Sequence, residues 1–261
     1  MASFENKIVI VTGCSSGIGL ATALLFLNRQ ARVFGIDVAP FKHELAEGQR
    51  EALAFHQANL TEGKACDDAV AACQAKFGPK IDVLVNCAGI MDGFSSADTV
   101  QDAELERVLA INLTVPIKLM RAVLPSMKEQ KAGAIVNVCS RAAVSGGTAG
   151  LAYTASKHGL AGATKNVAWR FHNDHIRCNA VLPGAVVTNI SSSMQMDGFD
   201  PAGYAMFAPV FGLHTDKDEV GQPVPPIGAD DVARAISFLA SDESKLINGV
   251  LLPVDNAWSA T

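Results

Sequence analysis

The 261-residue sequence predicts an α/β fold in which helices cover both faces of a doubly wound, mainly parallel sheet of seven strands. Short runs of Val, Ile and Leu alternate along the chain with longer amphipathic stretches, which is the order of strands and helices in such a three-layer sandwich. The runs are continuously apolar, as is typical of parallel strands that are buried on both faces.

The apolar runs predict six of these strands, and the stretches between them predict helices. The strands are expected at residues 7–11, 32–37, 81–86, 134–138, 176–182 and 249–254. The helices are expected at residues 17–28, 66–77, 105–128, 151–171 and 231–240. The third helix is expected to break near Pro116, and Asp230 is expected to cap the last helix.

Residues 188–228 interrupt this alternation. The segment is rich in Met, Phe and Gly, it ends in several prolines, and it has no clean period. Because no linker-like change of composition occurs elsewhere, we expect one domain over residues 1–261 that carries this segment as an insertion.

The composition limits the class of protein. Apolar residues make up 49% of the chain and charged residues 18%, which excludes intrinsic disorder, and the net charge of −5 argues against a nucleic-acid partner. The N-terminus has no signal-peptide pattern, no apolar run is long enough to span a membrane, and the six cysteines lack metal-ligand spacing. We therefore expect a cytoplasmic protein with reduced thiols, no metal and no membrane partner.

A glycine-rich loop directly follows the first predicted strand and opens the first predicted helix. Glycines at this position let the backbone approach a pyrophosphate, whose charge the helix N-terminus stabilises. The loop predicts a dinucleotide site formed by Gly13, Ser15, Ser16, Gly17, Ile18 and Gly19.

Asp37 ends the second predicted strand. A carboxylate at this place accepts hydrogen bonds from the adenosine ribose and repels a 2′-phosphate. Because no Arg or Lys stands at the neighbouring positions Cys14, Val38 or Ala39, the sequence favours NAD over NADP, although Lys42 lies nearby.

Three side chains predict the chemistry. Tyr153 and Lys157 are four residues apart on one helical face, and Ser140 ends a strand upstream. A nearby ammonium lowers the pKa of a tyrosine, which then suits proton transfer, while a serine hydroxyl orients the substrate oxygen. Hydride chemistry is the part that a nicotinamide cofactor supplies.

These motifs together resemble those of the short-chain dehydrogenase/reductase family, in its single-domain branch with a Rossmann-type fold. The resemblance extends from Lys7 to Trp258 and also includes the segments 86–89, 111–113, 183–184 and 253–255. It implies that Tyr153 is the general acid/base, that Lys157 lowers its pKa and binds the nicotinamide ribose, and that Ser140 orients the substrate. It also implies that Asn112 anchors a water molecule.

The resemblance implies further contacts with the cofactor and between subunits. The additional cofactor-binding residues are Asn59, Leu60, Asn86, Ala88, Gly89, Pro183, Gly184, Val186 and Thr188. Residues 188–228 correspond to the family's substrate lid, and we call them the lid segment. The helices 105–128 and 151–171 and the strand 249–254 are expected to form the interfaces of a homotetramer or a homodimer.

Three positions depart from the family pattern. Asn59 stands where an Asp is usual, Cys87 where a second Asn is usual, and Asn256-Ala257 where two glycines are usual. The first departure affects adenine affinity, the second the stability of the sheet, and the third the geometry of the C-terminal turn.

The leading hypothesis is an NAD-dependent oxidoreductase that interconverts a secondary alcohol and a ketone. The Met and Phe content of the lid segment favours a bulky hydrophobic substrate, although these side chains could equally only pack the lid onto the body. Two alternatives remain open. One is an enzyme that uses the bound cofactor for a non-redox isomerisation, elimination or cyclisation, and the other is a non-catalytic NAD-binding scaffold or sensor.

Overall fold

A computed structural model describes residues 3–217, 221 and 223–260 of the chain. The strands of this part are β1 (Ile8–Thr12), β2 (Arg32–Asp37), β3 (Leu53–Gln57), β4 (Val83–Asn86), β5 (Gly133–Val138), β6 (Ile176–Pro183), β7 (Asp216–Lys217), β8 (Pro223–Val224) and β9 (Leu251–Val254). The helices are α1 (Gly17–Asn28), α2 (Glu47–Ala52), α3 (Ala65–Phe77), α4 (Asp102–Leu109), α5 (Val115–Glu129), α6 (Leu151–Arg170), α7 (Pro201–Leu213) and α8 (Ala229–Ala240).

Seven of the strands form one sheet in the order β3-β2-β1-β4-β5-β6-β9, and each pairs in parallel with its neighbours. Alternate residues of β1 face opposite sides: Val9 and Val11 pack with α1 and α8, while Ile8 and Ile10 pack with α3 and α5. The predicted three-layer α/β fold with a seven-stranded parallel sheet is therefore confirmed.

The strand order determines where the candidate site lies on the sheet. The chain runs outward from β1 to β3 and then returns to the other side of β1 as β4. At such a reversal the loops after the two central strands diverge and leave a crevice at the carboxyl edge of the sheet. The glycine-rich loop after β1 and residues 86–89 after β4 both lie at this crevice.

Three local predictions need correction. The seventh strand, β3, and the short helix α2 before it were not placed, because the apolar run of β3 includes His56 and is only half-buried. Helix α8 begins at Ala229 with Gly228 at its N-cap, so Asp230 lies inside the first turn and Asp231 accepts the hydrogen bond from the Gly228 N–H.

The long predicted helix is interrupted just before Pro116. A π-helical turn over Ala110–Thr114 separates α4 from α5. Pro116 lacks the N–H that would donate to the carbonyl oxygen of Asn112 in a regular α-helix. The break therefore falls at Asn112, and single π-helical turns of this kind are frequent at functional sites.

One helical stretch meets the length and composition criteria for crossing a membrane, in contrast to the sequence expectation. Asp102–Glu129 contains an 18-residue window with a mean hydropathy of 1.5. The same stretch packs on the sheet through Leu119 and Val123, and core helices of soluble proteins pass this test as well, so the criterion carries little weight here.

The lid segment is less irregular than its sequence suggests. It contains short 3-10 turns at Ile190–Ser193 and Met196–Gly198, the helix α7, and the antiparallel pair β7–β8. Asp200 caps α7 by accepting hydrogen bonds from the amides of Ala202 and Gly203. Residues 218–220 and 222 of this segment lie outside the described residues.

Candidate active site

A cavity of about 680 Å³ opens at the carboxyl edge of the sheet, between the glycine-rich loop and the lid segment. Most of the residues that the sequence selected line this cavity. They are Gly13, Ser16, Gly17, Ile18, Gly19, Asp37, Asn59, Leu60, Ala88, Gly89, Ser140, Tyr153, Lys157, Pro183, Gly184, Val186 and Thr188.

Three selected residues do not line the cavity: Ser15, Asn86 and Asn112. Ser15 faces the end of β2, where its amide donates to Asp37 at 2.9 Å. The buried Asn86 side chain points into the sheet and donates to the Oδ1 of Asn137 at 2.8 Å. The Asn86 side chain therefore stabilises the pairing of β4 with β5, and the cofactor contact implied for this residue stays a prediction.

The glycine-rich loop fits a pyrophosphate. Gly13 and Gly17 have positive φ angles, and a Cβ on Gly19 would come within 2.0 Å of the Gly13 carbonyl oxygen. No side chain caps α1, and within the helix Leu20 is the first residue whose amide reaches a backbone acceptor, at Ser16. The amides of residues 16–19 are therefore available to an anion at the helix N-terminus, whereas those of residues 13–15 donate to Ile36 and Asp37.

Asp37 joins the loop to the end of β2. Its two carboxylate oxygens accept hydrogen bonds from the amides of Ser15 and Ala39, each at 2.9 Å. Arg141 and Lys157 are the cationic side chains of the cavity lining, and both belong to the catalytic end. In the described lining, the ribose end thus presents a carboxylate and no cation.

The side chain of Asn59 is engaged within its own turn. Its Oδ1 accepts from the amide and hydroxyl of Thr61, and its Nδ2 donates to Glu62 at 2.9 Å. A nucleobase at this end would compete with those partners for the Asn59 side chain.

Tyr153 and Ser140 meet at the inner end of the cavity. Tyr153 lies in the first turn of α6 and is 6% exposed, and Ser140 caps the 3-10 turn Arg141–Ala143 that follows β5. Burial raises the pKa of the Tyr153 hydroxyl above its usual value, and a hydrogen bond with Ser140 opposes this rise.

Lys157 lies one helical turn after Tyr153 and is almost completely buried. Its Nζ donates to the carbonyl oxygen of Val138 at 2.9 Å and lies 5.4 Å from the centroid of the Tyr153 ring. Burial lowers the pKa of the ammonium group. In the protein alone, the pKa of Tyr153 is therefore raised and not lowered, with burial of the phenol as the main cause.

Asn112 holds the loop after β4 next to Lys157. Its side chain exchanges two hydrogen bonds of 2.9 Å with the backbone of Ile90 and donates to the hydroxyl of Ser156. A Cβ on Gly89 would lie 3.4 Å from the Oδ1 of Asn112 and 3.5 Å from the Nζ of Lys157. Asn112 thus lies behind the lysine, outside the cavity itself.

The other two departures from the family pattern, Cys87 and Asn256-Ala257, differ in how the backbone around them is held. Thr12 Oγ1 accepts hydrogen bonds from the amides of Cys87 and Ala88, each at 3.0 Å, and so secures the start of the loop after β4. At the C-terminal turn, Asn256 and Ala257 adopt positive φ angles of 49° and 67°, which are strained for a residue with a Cβ.

Several residues of the site were missed or given another role by sequence reasoning. Trp258 is buried and also lines the cavity, where its ring stacks on His214 with ring centroids 4.7 Å apart. The buried carboxylates of Asp92 and Glu104 hold the loop after β4. No local pattern marks either carboxylate, because Glu104 lies among other charged residues at 102–107 and Asp92 precedes a glycine in a loop.

The apolar wall of the cavity is an aromatic cluster. Phe94 contacts the rings of Phe199, Tyr204 and Phe207, at centroid distances of 6.3, 5.2 and 4.9 Å. Phe211 extends the cluster along α7. Phe94, Tyr204, Phe207 and Phe211 also line the cavity, so the lid packs onto the body and forms the substrate wall with the same side chains.

A dinucleotide-binding α/β sheet with a buried Ser-Tyr-Lys group at its carboxyl edge defines a class of nicotinamide-dependent oxidoreductases. The short chain dehydrogenase family profile matches residues 7–197. The chain belongs to the short-chain dehydrogenase/reductase family.

Curated relatives cover almost the whole chain. The chain is 48% identical to the short-chain dehydrogenase/reductase olcF of Penicillium canescens, over 99% of each sequence. It is 46% identical to the asnovolin H dehydrogenase nvfC of Aspergillus novofumigatus, again over 99% of each. Among solved structures, a levodione reductase matches with a TM-score of 0.82 at 27% identity and covers 99% of both chains.

Proposed function

We propose that this protein oxidises a secondary alcohol of a bulky, hydrophobic substrate to the ketone, with NAD as the hydride acceptor. The observation that carries the proposal is the convergence of Ser140, Tyr153 and Lys157 at the inner end of a cavity whose outer wall is aromatic. Such a cavity offers proton transfer at one end and an apolar surface for a large substrate at the other.

The side chains divide the chemistry between them. When bound, the nicotinamide supplies the hydride acceptor. Ser140 donates a hydrogen bond to the substrate oxygen, and Tyr153 accepts the carbinol proton. Lys157 holds the ribose and contributes a positive charge that favours the phenolate. Burial is the main cause that raises the pKa of Tyr153, so ionisation of the phenol needs a positive charge close to it.

The preference for NAD rests on Asp37. Both of its oxygens are held by backbone amides, so the carboxylate is fixed at the end of β2. A 2′-phosphate at this position would meet the carboxylate without a compensating cation from the described lining. The ribose hydroxyls of NAD can instead donate to the remaining lone pairs.

The size and polarity of the substrate follow from the lid. The rings of Phe94, Tyr204, Phe207 and Phe211 form a continuous apolar surface on the cavity. The relative nvfC carries the name asnovolin H dehydrogenase, which supports a dehydrogenase activity for this chain. We therefore propose a polycyclic terpenoid, steroid-like or polyketide alcohol.

We also propose that the protein is a cytoplasmic homo-oligomer. An apolar groove of about 710 Å³ runs between α5 and α6 on the outer surface. It is lined by Ile117, Met120, Leu124, Pro125, Gly162, Ala163, Val167 and Phe171, among others. Pairing of this face with its copy would cover the groove, and size-exclusion chromatography with light scattering measures the resulting mass.

The test is a turnover screen with the purified protein, NAD and a panel of alcohols that ranges from small polar to polycyclic. We expect NADH to form with the polycyclic alcohols, and deuterium at the carbinol carbon to slow the reaction. Tyr153→Phe should abolish turnover while the NAD dissociation constant stays within about twofold, because the phenol hydroxyl acts on the proton. Product formation without NADH would instead indicate the non-redox alternative. Binding of NAD without any turnover would indicate a scaffold or sensor.

A further inference from the structure

Asp92 is a completely buried carboxylate that contacts the backbone of the catalytic helix. Its Oδ2 accepts a hydrogen bond from the amide of Tyr153 at 2.8 Å, and its Oδ1 accepts from the amide of Gly150 at 3.0 Å. The amide of Phe94 donates to Oδ1 at 3.3 Å. No Lys, Arg or His forms an ion pair with this carboxylate in the described part of the chain. Burial raises the pKa of the Asp92 carboxyl, and the hydrogen bonds from the three backbone amides oppose this rise.

This contact replaces a local helix cap. Gly150 occupies the N-cap of α6 and has no side chain to accept from the first-turn amides. Asp92 supplies that acceptor from a loop that is 58 residues earlier in the chain. A Cβ on Gly150 would come within 2.6 Å of the Asp92 carboxylate, although its φ of −74° would accept any residue. Glycine is thus needed here to admit the carboxylate.

The loop that carries Asp92 is fixed on its other sides as well. Asn112 holds Ile90 through two hydrogen bonds, and Ser193 of the lid segment accepts from the amide of Met91 at 2.9 Å. The amide of Asp200, at the start of the lid helix, donates to the carbonyl oxygen of Gly93 at 2.7 Å. We call residues 90–95 the bridge segment, because it contacts the lid and the catalytic helix at once.

We propose that Asp92 is a positioning residue for Tyr153. Asp92 anchors the backbone of Tyr153 so that the phenol hydroxyl meets Ser140 and the substrate oxygen. The inference rests on the proposed function, since it assigns Asp92 to the proton-transfer step. Asp92 does not line the cavity, so it acts through the backbone of Tyr153 and touches neither substrate nor cofactor. A displacement of about 1 Å of a catalytic group can cost about 100-fold in rate.

Two substitutions disturb the contact from opposite sides. Asp92→Asn keeps the shape of the side chain, but its amide nitrogen has to face either the Tyr153 or the Gly150 amide, which are both donors. Gly150→Ala keeps the carboxylate and displaces it sterically. The matched control is Thr99→Val, which removes a hydroxyl that accepts from the amide of Ser96, directly after the bridge segment, and donates to Asp200 of the lid segment. These hydrogen bonds reach neither Asp92 nor α6.

The experiment measures kcat, KM for an alcohol that the wild-type protein oxidises, and the NAD dissociation constant for all four proteins. Hydrogen exchange at the start of α6 is measured in parallel, because it needs no substrate. We expect Asp92→Asn and Gly150→Ala to lower kcat by at least about tenfold, with KM and NAD affinity within about twofold. Exchange should rise at residues 150–153 in both variants. Thr99→Val should keep kcat within about twofold and leave exchange at residues 150–153 unchanged.

Two outcomes would overturn the inference. One is a wild-type kcat in Gly150→Ala, whether or not Asp92→Asn folds. The other is an equal loss of kcat in Thr99→Val, because a general loosening of the loop between β4 and α4 would then explain the effect. If the wild-type protein oxidises no alcohol, the proposed function fails, and unchanged exchange at residues 150–153 would then separately refute the anchoring of Tyr153 by Asp92.

Discussion

Gly203, in the first turn of the lid helix α7, lies directly against the backbone of Phe94. A Cβ at Gly203 would come within 2.2 Å of the Phe94 carbonyl oxygen, and Phe94 itself adopts a positive φ of 65°. The ring of Phe94 then contacts Tyr204 and Phe207 on the same helix. The position of α7 over the cavity therefore depends on a backbone contact that only glycine allows.

Gly203→Ala should displace α7 and widen the cavity at its aromatic wall. We expect KM for a polycyclic alcohol to rise by about tenfold, because the aromatic cluster no longer meets the substrate in the same geometry. NAD affinity should not change. The control is Gly212→Ala on the same helix, where a Cβ would meet no atom within 4 Å. Equal KM values for the two variants would contradict the role of the Gly203 contact.

Asp37 should determine the choice between NAD and NADP. We expect Asp37→Ser combined with Val38→Arg to shift the ratio of kcat/KM for the two cofactors towards NADP by about tenfold or more, which corresponds to about 1.4 kcal/mol. The serine removes the repelling carboxylate, and the arginine replaces an exposed side chain beside it. Asp37→Asn is the control, since it removes the charge without adding a cation. It should lose discrimination and gain little NADP activity.

Ala257 should be a site of backbone strain. Its φ of 67° lies in the left-handed region, where a residue with a Cβ is destabilised by about 1–2 kcal/mol. Ala257→Gly should therefore raise the free energy of unfolding by about 0.5–1 kcal/mol, after the larger entropy of the unfolded glycine is subtracted. Urea denaturation measures this change. Asn256→Gly should have a smaller effect, because asparagine tolerates this conformation, and a lower stability of Ala257→Gly would count against the strain.

The buried Lys157 should make stability depend on pH. Burial lowers its pKa in the folded protein below the usual value of 10.5, so the unfolded chain binds more protons than the folded one between those two values. The contribution of Lys157 to the free energy of unfolding therefore rises as the pH increases through that window. This contribution is lowest at pH values where the lysine is charged in both the folded and the unfolded chain.

Lys157→Met removes this dependence. We expect the stability advantage of Lys157→Met over the wild-type protein to be largest near neutral pH and to shrink towards about pH 10. Tyr153 has a raised pKa, so its contribution falls as the pH rises above 10.0, but both proteins share it. Urea titrations without cofactor at the two pH values measure the difference. A pH-independent difference would mean that the lysine is not penalised by burial.

Much of the fold and of the reaction centre could be predicted because it is encoded locally. The strands of the central sheet are continuous apolar runs, and the glycine-rich loop, the strand-ending Ser140 and the Tyr153–Lys157 pair each lie within a short motif. The strand β3 escaped prediction because it lies at the edge of the sheet and is only half-buried. An edge strand does not show the continuous apolar pattern of a buried one.

The directions of buried polar side chains could not be predicted in the same way. Asn86 was expected at the cofactor, but the parallel register of β4 with β5 pairs it with Asn137, whose Oδ1 accepts its hydrogen bond. A buried amide has to take the partner that the neighbouring strand offers. That partner is 51 residues away in the chain, so no local pattern identifies it.

By itself, the sequence determined the α/β class, the family resemblance and the Ser140, Tyr153 and Lys157 group. Periodicity and short motifs predict these features because each of them depends on residues that are close together in the chain. Only the tertiary structure decided that Asp92 caps the catalytic helix and that Gly203 sets the lid helix against Phe94. Both contacts join segments that are far apart in the chain. The Asp92 contact depends on which backbone amides the fold leaves without another partner. The Gly203 contact depends on how closely two backbone segments approach each other.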